Sequence, residues 1–218
     1  MTRGRTIGGE ADDTGVMPGA GASRAAAASR PAPSRVLRSA SVLAGWSLLY
    51  AAYRAYYALG GQVGMIGRPV SRSQFEQVNA AGAGIIVVCA VVVPLTLAWV
   101  PRLRRLLVVV GWLGAVGCCM HALVDATLRL FSLTGVHPVE LPPSFWASVD
   151  RQKADLQDLL LNEPWFFVAG LLWAGLALTV VPQGLRHRWV VSAVVVCLLL
   201  SGYGVLRGLD VLGPTLLG

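Results

Sequence analysis

Residues 80–100 read AAGAGIIVVCAVVVPLTLAWV, twenty-one residues without a single charge. About 20 apolar residues are needed to cross the roughly 30 Å hydrocarbon layer of a bilayer. A soluble core helix of that length would carry a polar face, and this stretch has none. Its reading decides the fold class, because the rest of the chain repeats the pattern. Of the 218 residues 55% are hydrophobic and only 13% are charged, against about 25% charged in soluble domains. The charges gather between long apolar windows, as in a protein that crosses the membrane several times.

Working outward, five segments are long enough to span: about 36–60, 80–100, 106–131, 164–182 and 189–212. Basic residues then set the expected orientation. Six arginines lie between the start of the chain and Arg38, three in the connection PRLRR and two in QGLRHR, whereas the connection after the first segment holds only Arg68 and Arg72. The long connection 133–163 balances Arg151 and Lys153 with acids. The positive-inside rule therefore predicts a cytoplasmic N-terminus and an external C-terminus, which five spans require. The fold expected is all-α: a bundle of five transmembrane helices in the plasma (inner) membrane, with a short external amphipathic helix. Residues 1–35, rich in Gly, Ala, Ser, Pro and Arg, are expected to form a disordered basic cytoplasmic tail, and 36–218 the membrane domain. Pro142, Pro143 and Ser144 read as a helix start, so the amphipathic helix is expected over about 144–161. Asn162 reads as the N-cap of the fourth span, with Pro164 in its first turn. The shared endings VPRLRR and VPQGLRHR raise a faint internal repeat, of a size that chance also produces.

The net charge of +7 is explained by arginines flanking apolar segments, and neither a recognition helix nor an aromatic-interleaved basic patch suggests nucleic acid as a partner. Cys89, Cys118, Cys119 and Cys197 all fall in apolar segments without C-x-x-C spacing, which indicates neither a zinc nor a redox motif. No cofactor is implied. The partners expected are the bilayer and either a small ligand or another membrane protein.

Ionisable groups inside spans usually face the bundle interior or a water-filled cavity. At about 1.5 Å rise per residue, Arg54 on the first segment, His121 and Asp125 on the third and Arg207 on the fifth all reach the outer third of the layer. Trp46, Tyr50, Tyr53, Arg54 and Tyr57 share one helical stripe. Two readings of it stand: an aromatic-walled pocket in which Arg54 offers a fork of donors, or an interfacial belt with a snorkelling arginine. Asp125 precedes Arg129 by four residues, the favourable order for a helical ion pair, and Arg207 and Asp210 make a similar pair. Asp125 and then Glu163 are the candidate partners for Arg54 across the bundle. A structural ion-pair network accounts for the same residues. His121 with Asp125 makes a thin metal site, since zinc wants three or four protein ligands, so no metal is expected. The pair remains the candidate for acid–base catalysis or a proton relay. Glycines 82, 84, 114, 117, 204 and 208 suit close helix contacts.

The stretch GWSLLYAAYRAYYALGG, residues 45–61, resembles the first-helix pattern of a family of small bacterial integral-membrane proteins: Trp, a few apolar residues, then roughly Tyr-Trp-Ala-Leu-Gly-Gly. Trp46, Tyr56, Tyr57, Ala58, Leu59, Gly60 and Gly61 carry the match, with Tyr57 where the pattern has Trp. NEPWFF at 162–167 is similar to a second stretch of such proteins. The family has no assigned function and usually about four spans, so the resemblance implies a bacterial membrane protein and no activity. The sequence thus predicts an outward-facing polar and aromatic cavity lined by Tyr50, Tyr53, Arg54, Tyr57, His121, Asp125 and Arg207. It would bind a small ligand, a lipid headgroup or a partner helix. The alternatives are a membrane-embedded enzyme using His121 and Asp125 as an acid–base pair, or a small oligomeric transporter subunit.

Overall fold

A computed structural model describes residues 33–139 and 141–211, so most of the expected N-terminal tail lies outside the described residues. The described residues form five long helices and one two-stranded ribbon. They are α1 (Pro33–Ala58), α2 (Arg72–Trp99), α3 (Leu106–Leu133), α4 (Arg151–Leu178) and α5 (Gln183–Gly208). Strands β1 (Gly67–Pro69) and β2 (Trp146–Val149) pair antiparallel, with Gly67 opposite Val149 and a bulge between Arg68 and Pro69.

Four of the helices, α2 to α5, are long and apolar enough to cross a membrane. The fifth, α1, is 26 residues long, about 39 Å, but carries Arg35, Arg38, Arg54 and several serines and tyrosines. Its position explains that composition. Val36, Ala40, Leu43, Ala44, Ser47, Tyr50, Ala51 and Tyr57 on α1 are all buried, by α2 on one side and α4 on the other. A helix face packed on protein can hold polar side chains such as Ser47, Tyr50 and Tyr57 that a lipid-facing surface cannot. The remaining packing runs α4 against α3 and α3 against α5, so the neighbours follow the order α2, α1, α4, α3, α5.

Two helices are longer than the sequence suggests. The second starts at Arg72, not near residue 80, capped by the Ser71 hydroxyl, which accepts the Gln74 amide at 3.3 Å. The external helix expected over 144–161 is instead split. Residues 146–149 form β2, and a helix begins at Arg151 with Asp150 as its N-cap, accepting the Lys153 amide at 3.0 Å. It then runs unbroken into the fourth span. Asn162 is therefore inside α4 and caps nothing with its side chain. The break expected before Pro164 is replaced by a π-helical turn over Asp158–Asn162. A matching turn over Val88–Val92 precedes Pro94 in α2. Proline lacks an N–H and clashes with the carbonyl four residues back; one extra residue in the preceding turn removes the clash while the helix continues. The two turns lie near opposite ends of their helices, so they do not extend the apparent repeat.

At the ribbon end, Arg72 ties α1 to α2: its guanidinium donates to the Gly60 carbonyl at the end of α1, and its Nε to Glu76 at 2.8 Å. Lys153 Nζ donates to the Met65 carbonyl at 2.6 Å, fastening the α1–α2 connection to α4.

Candidate functional site

The aromatic stripe of α1 faces protein. Trp46 stacks on Trp165 with centroids 4.3 Å apart and donates its indole N–H to the Trp165 carbonyl at 3.2 Å. Tyr50 packs against Trp165 and Phe166 and donates to Asn162 Oδ1 at 3.3 Å. Tyr53 accepts from Gln157 Nε2. Tyr57 meets Phe75 edge-on and donates to the Val63 carbonyl at 3.1 Å. Of the four tyrosines of α1, only Tyr56 is well exposed, and its hydroxyl accepts the Gln62 and Val63 amides to close the turn after α1.

Between α1, α2, α4 and the ribbon lies a cavity of about 170 Å³ lined by Tyr53, Arg54, Tyr57, Phe75, Trp146 and Asp158, among others. An engineered apolar cavity of about 150 Å³ accepts benzene, so this one has room for a small ligand or headgroup. Tyr53, Tyr57 and Gln157 also line a wider open depression next to it. Arg54 is half-buried and has no hydrogen-bond or ion-pair partner among the described residues. It lies against α2, where Gly82 leaves it room: a Cβ there would come within 3.2 Å of the guanidinium.

Neither candidate partner for Arg54 pairs with it. Asp125 Oδ2 sits 3.2 Å from His121 Nδ1 on its own helix. Nor does Asp125 pair with Arg129, the other expectation. Arg129 reaches α4 instead, with Nη1 3.0 Å from Asp155 and Nη2 2.7 Å from Asp158. Ser132 donates to the second oxygen of Asp155, which is 1% exposed. Asn162 donates to Asp158 at 2.6 Å. One hydrogen-bonded chain therefore links Ser132, Asp155, Arg129, Asp158, Asn162 and Tyr50, joining α3, α4 and α1. Asp155, within the segment expected as an external amphipathic helix, is among the most buried side chains because α4 packs that face on α3.

The seven residues expected in one cavity thus separate. Tyr53, Arg54 and Tyr57 line it, and Tyr50 packs just beyond, reaching it through Asn162. His121 and Asp125 lie on the far side of α4 and meet Glu163: their ligand atoms and a Glu163 oxygen all fall within 4.8 Å of one another. His121 is held edge-on to Phe166 at 4.5 Å. Arg207 is not in the lining of the cavity. It is on α5, and α3 and α4 stand between α5 and α1. Equal depth does not bring side chains together when their helices are not neighbours. The sequence reading missed Asn79, Gln157 and Asp158 in the cavity wall. Asn79, an amide next to a long apolar run, was the one visible signal; it is buried and donates to the Phe75 carbonyl at 2.8 Å.

A second, wholly apolar crevice of about 350 Å³ lies between α3, α4 and α5, lined by Cys119, Leu123, Phe167, Leu171, Val194 and Cys197 among others. Its lining suits lipid chains and no polar chemistry. No protein-family model, curated protein or solved structure matches the chain.

Proposed function

We propose that this is a five-span bacterial plasma-membrane protein, N-terminus inside, that holds an anionic group in an outward-facing cavity at Arg54. The group would be the phosphate or carboxylate of a small ligand or lipid headgroup. The observation that carries the reading is Arg54 itself: a half-buried guanidinium, unpaired among the described residues, beside a cavity walled by Tyr53, Tyr57, Phe75 and Trp146. An unpaired buried cation is costly, and a bound anion removes that cost with two parallel charge-assisted bonds. The acids nearby are already engaged, Asp158 by Arg129 and Asn162. The orientation rests on charge: Arg102, Arg104, Arg105, Arg186 and Arg188 lie at the end away from the ribbon, and α1 begins there with Arg35 and Arg38. α1, more polar than its neighbours, counts as a span because it buries one face between α2 and α4 and turns Val42, Leu48 and Leu49 outward.

The test is native mass spectrometry of the purified protein with phosphatidylglycerol or phosphatidylcholine. Wild type should retain the anionic lipid preferentially. Arg54→Ala should lose that preference by at least tenfold, about 1.4 kcal/mol, with an unchanged melting temperature. Equal retention by a folded Arg54→Ala protein rejects the reading.

A further inference from the structure

The structure assigns a divalent transition-metal site to His121 and Asp125 of α3 and Glu163 of α4, at the ribbon end of the interface between those helices. His121 and Asp125 are four residues apart and share a helix face. Their Nδ1 and Oδ2 atoms are 3.2 Å apart. Adjacent donors around a tetrahedral ion at about 2.1 Å are separated by about 3.4 Å, so this edge already has coordination spacing. The third donor comes from the neighbouring helix. All three ligand atoms lie within 4.8 Å of one another, and side-chain movements totalling about 1.4 Å would close the widest edge to bonding geometry.

Glu163 supplies an independent reason to place a cation here. It is 5% exposed, and its Oε2 is buried with no hydrogen-bond partner among the described residues. A buried carboxylate oxygen without a donor is costly. A second carboxylate close by adds repulsion. A cation between Glu163, Asp125 and His121 gives the Glu163 carboxylate a partner and removes the repulsion together. The scaffold suits a rigid site, because α3 and α4 form the most extensive helix pair in the molecule and Phe166 fixes the imidazole edge-on. His121 and Glu163 also sit level: about 22 Å of helix separates each from the far end of its own helix, Leu106 and Leu178 respectively.

The donor set selects the ion. One imidazole and two carboxylates suit Zn²⁺, Mn²⁺, Fe²⁺ or Co²⁺, whereas Mg²⁺ and Ca²⁺ prefer all-oxygen shells. Three protein ligands leave a coordination position free. The side chains of His121 and Asp125 are 45% and 37% exposed, so that position opens to one side. The site shares no lining residue with the Arg54 cavity, and the two proposals stand or fall separately.

The test uses the full chain without a histidine tag, in detergent. Zn²⁺ binding is followed by calorimetry and Co²⁺ binding by its visible absorption, with Mg²⁺ as the control. Wild type should bind one Zn²⁺ or Co²⁺ per chain and melt at a higher temperature with Zn²⁺ present. Glu163→Gln, Asp125→Asn and His121→Ala should each weaken binding at least tenfold, while Arg54→Ala should bind the metal as wild type does. If Glu163→Gln misfolds, Asp125→Asn and His121→Ala, at partly exposed positions, carry the test. Cys118→Ser/Cys119→Ser should retain the metal and show no thiolate charge-transfer band. Absence of Co²⁺ binding at millimolar concentration, equal binding by the folded variants, or loss of binding in the cysteine variant would each overturn the assignment.

Discussion

Arg129 shows how little a side chain's nearest sequence neighbours decide when a better partner exists across the bundle. Asp125 stands four residues before it, in the order that favours a helical pair. Such pairs contribute only about 0.2–0.5 kcal/mol. Asp155 and Asp158 offer two charge-assisted contacts in a partly desolvated cleft, and these win. Removing Arg129 would leave Asp155, 1% exposed, as an uncompensated buried charge with only Ser132 as a donor. Breaking a buried pair costs about 3–5 kcal/mol. Arg129→Ala should therefore lower stability by about 3 kcal/mol in detergent denaturation, and Asp155→Asn in the same background should recover part of the loss. If Arg129→Ala melts like wild type, the pair is not structural. The same comparison explains which site residues could be read in advance. The α1 stripe was legible because all its members lie on one helix. Glu163 beside His121 and Asp125 was not, because 38 residues and a loop separate Glu163 from Asp125 in the chain.

Among the elements, the α3–α4 pair carries the most packing, and small residues set its spacing. A Cβ on Gly111 would lie 2.6 Å from the Ala177 Cβ and 3.3 Å from the Trp173 carbonyl oxygen. Neither is the end of a flexible side chain, so the helices themselves must part. Gly111→Ala should destabilise the bundle by about 2 kcal/mol, within the usual cost of overpacking. Gly117→Ala, with nothing near its added methyl, should leave it unchanged. Identical melting of the two variants would show that α3 and α4 do not approach so closely. Gly82, Gly114, Gly204 and Gly208 do face neighbours as expected, while Gly84 and Gly117 do not. The helix in the third connection was half legible. Pro142, Pro143 and Ser144 read locally as a helix start where the chain forms β2, and Pro164 reads locally as a break where the helix continues. Only the π turn, an adjustment of the backbone under packing, keeps α4 continuous.

For the whole molecule, the proposed orientation places the β ribbon outside the cell. Ser148 in β2 is exposed. In a chain whose four native cysteines are replaced, Ser148→Cys should react with a membrane-impermeant maleimide in intact cells. Labelling only after the cells are opened would reverse the topology, and the Arg54 cavity would then face inward. Apolar run length is a local property, so the sequence by itself determined that this is a helical chain with segments long enough to cross a bilayer, and roughly where they lie. It also determined, through helical periodicity, that Tyr50, Tyr53, Arg54 and Tyr57 share a face. Only the tertiary structure decided which polar groups meet. That depends on lateral order: α1 between α2 and α4 gives Arg54 its cavity, α3 beside α4 gives His121 and Asp125 their third carboxylate, and α5, separated from α1 by α3 and α4, leaves Arg207 outside the lining of the Arg54 cavity. Depth in the membrane follows from counting residues along a helix, whereas neighbours follow from how side-chain shapes pack, and no single segment encodes that.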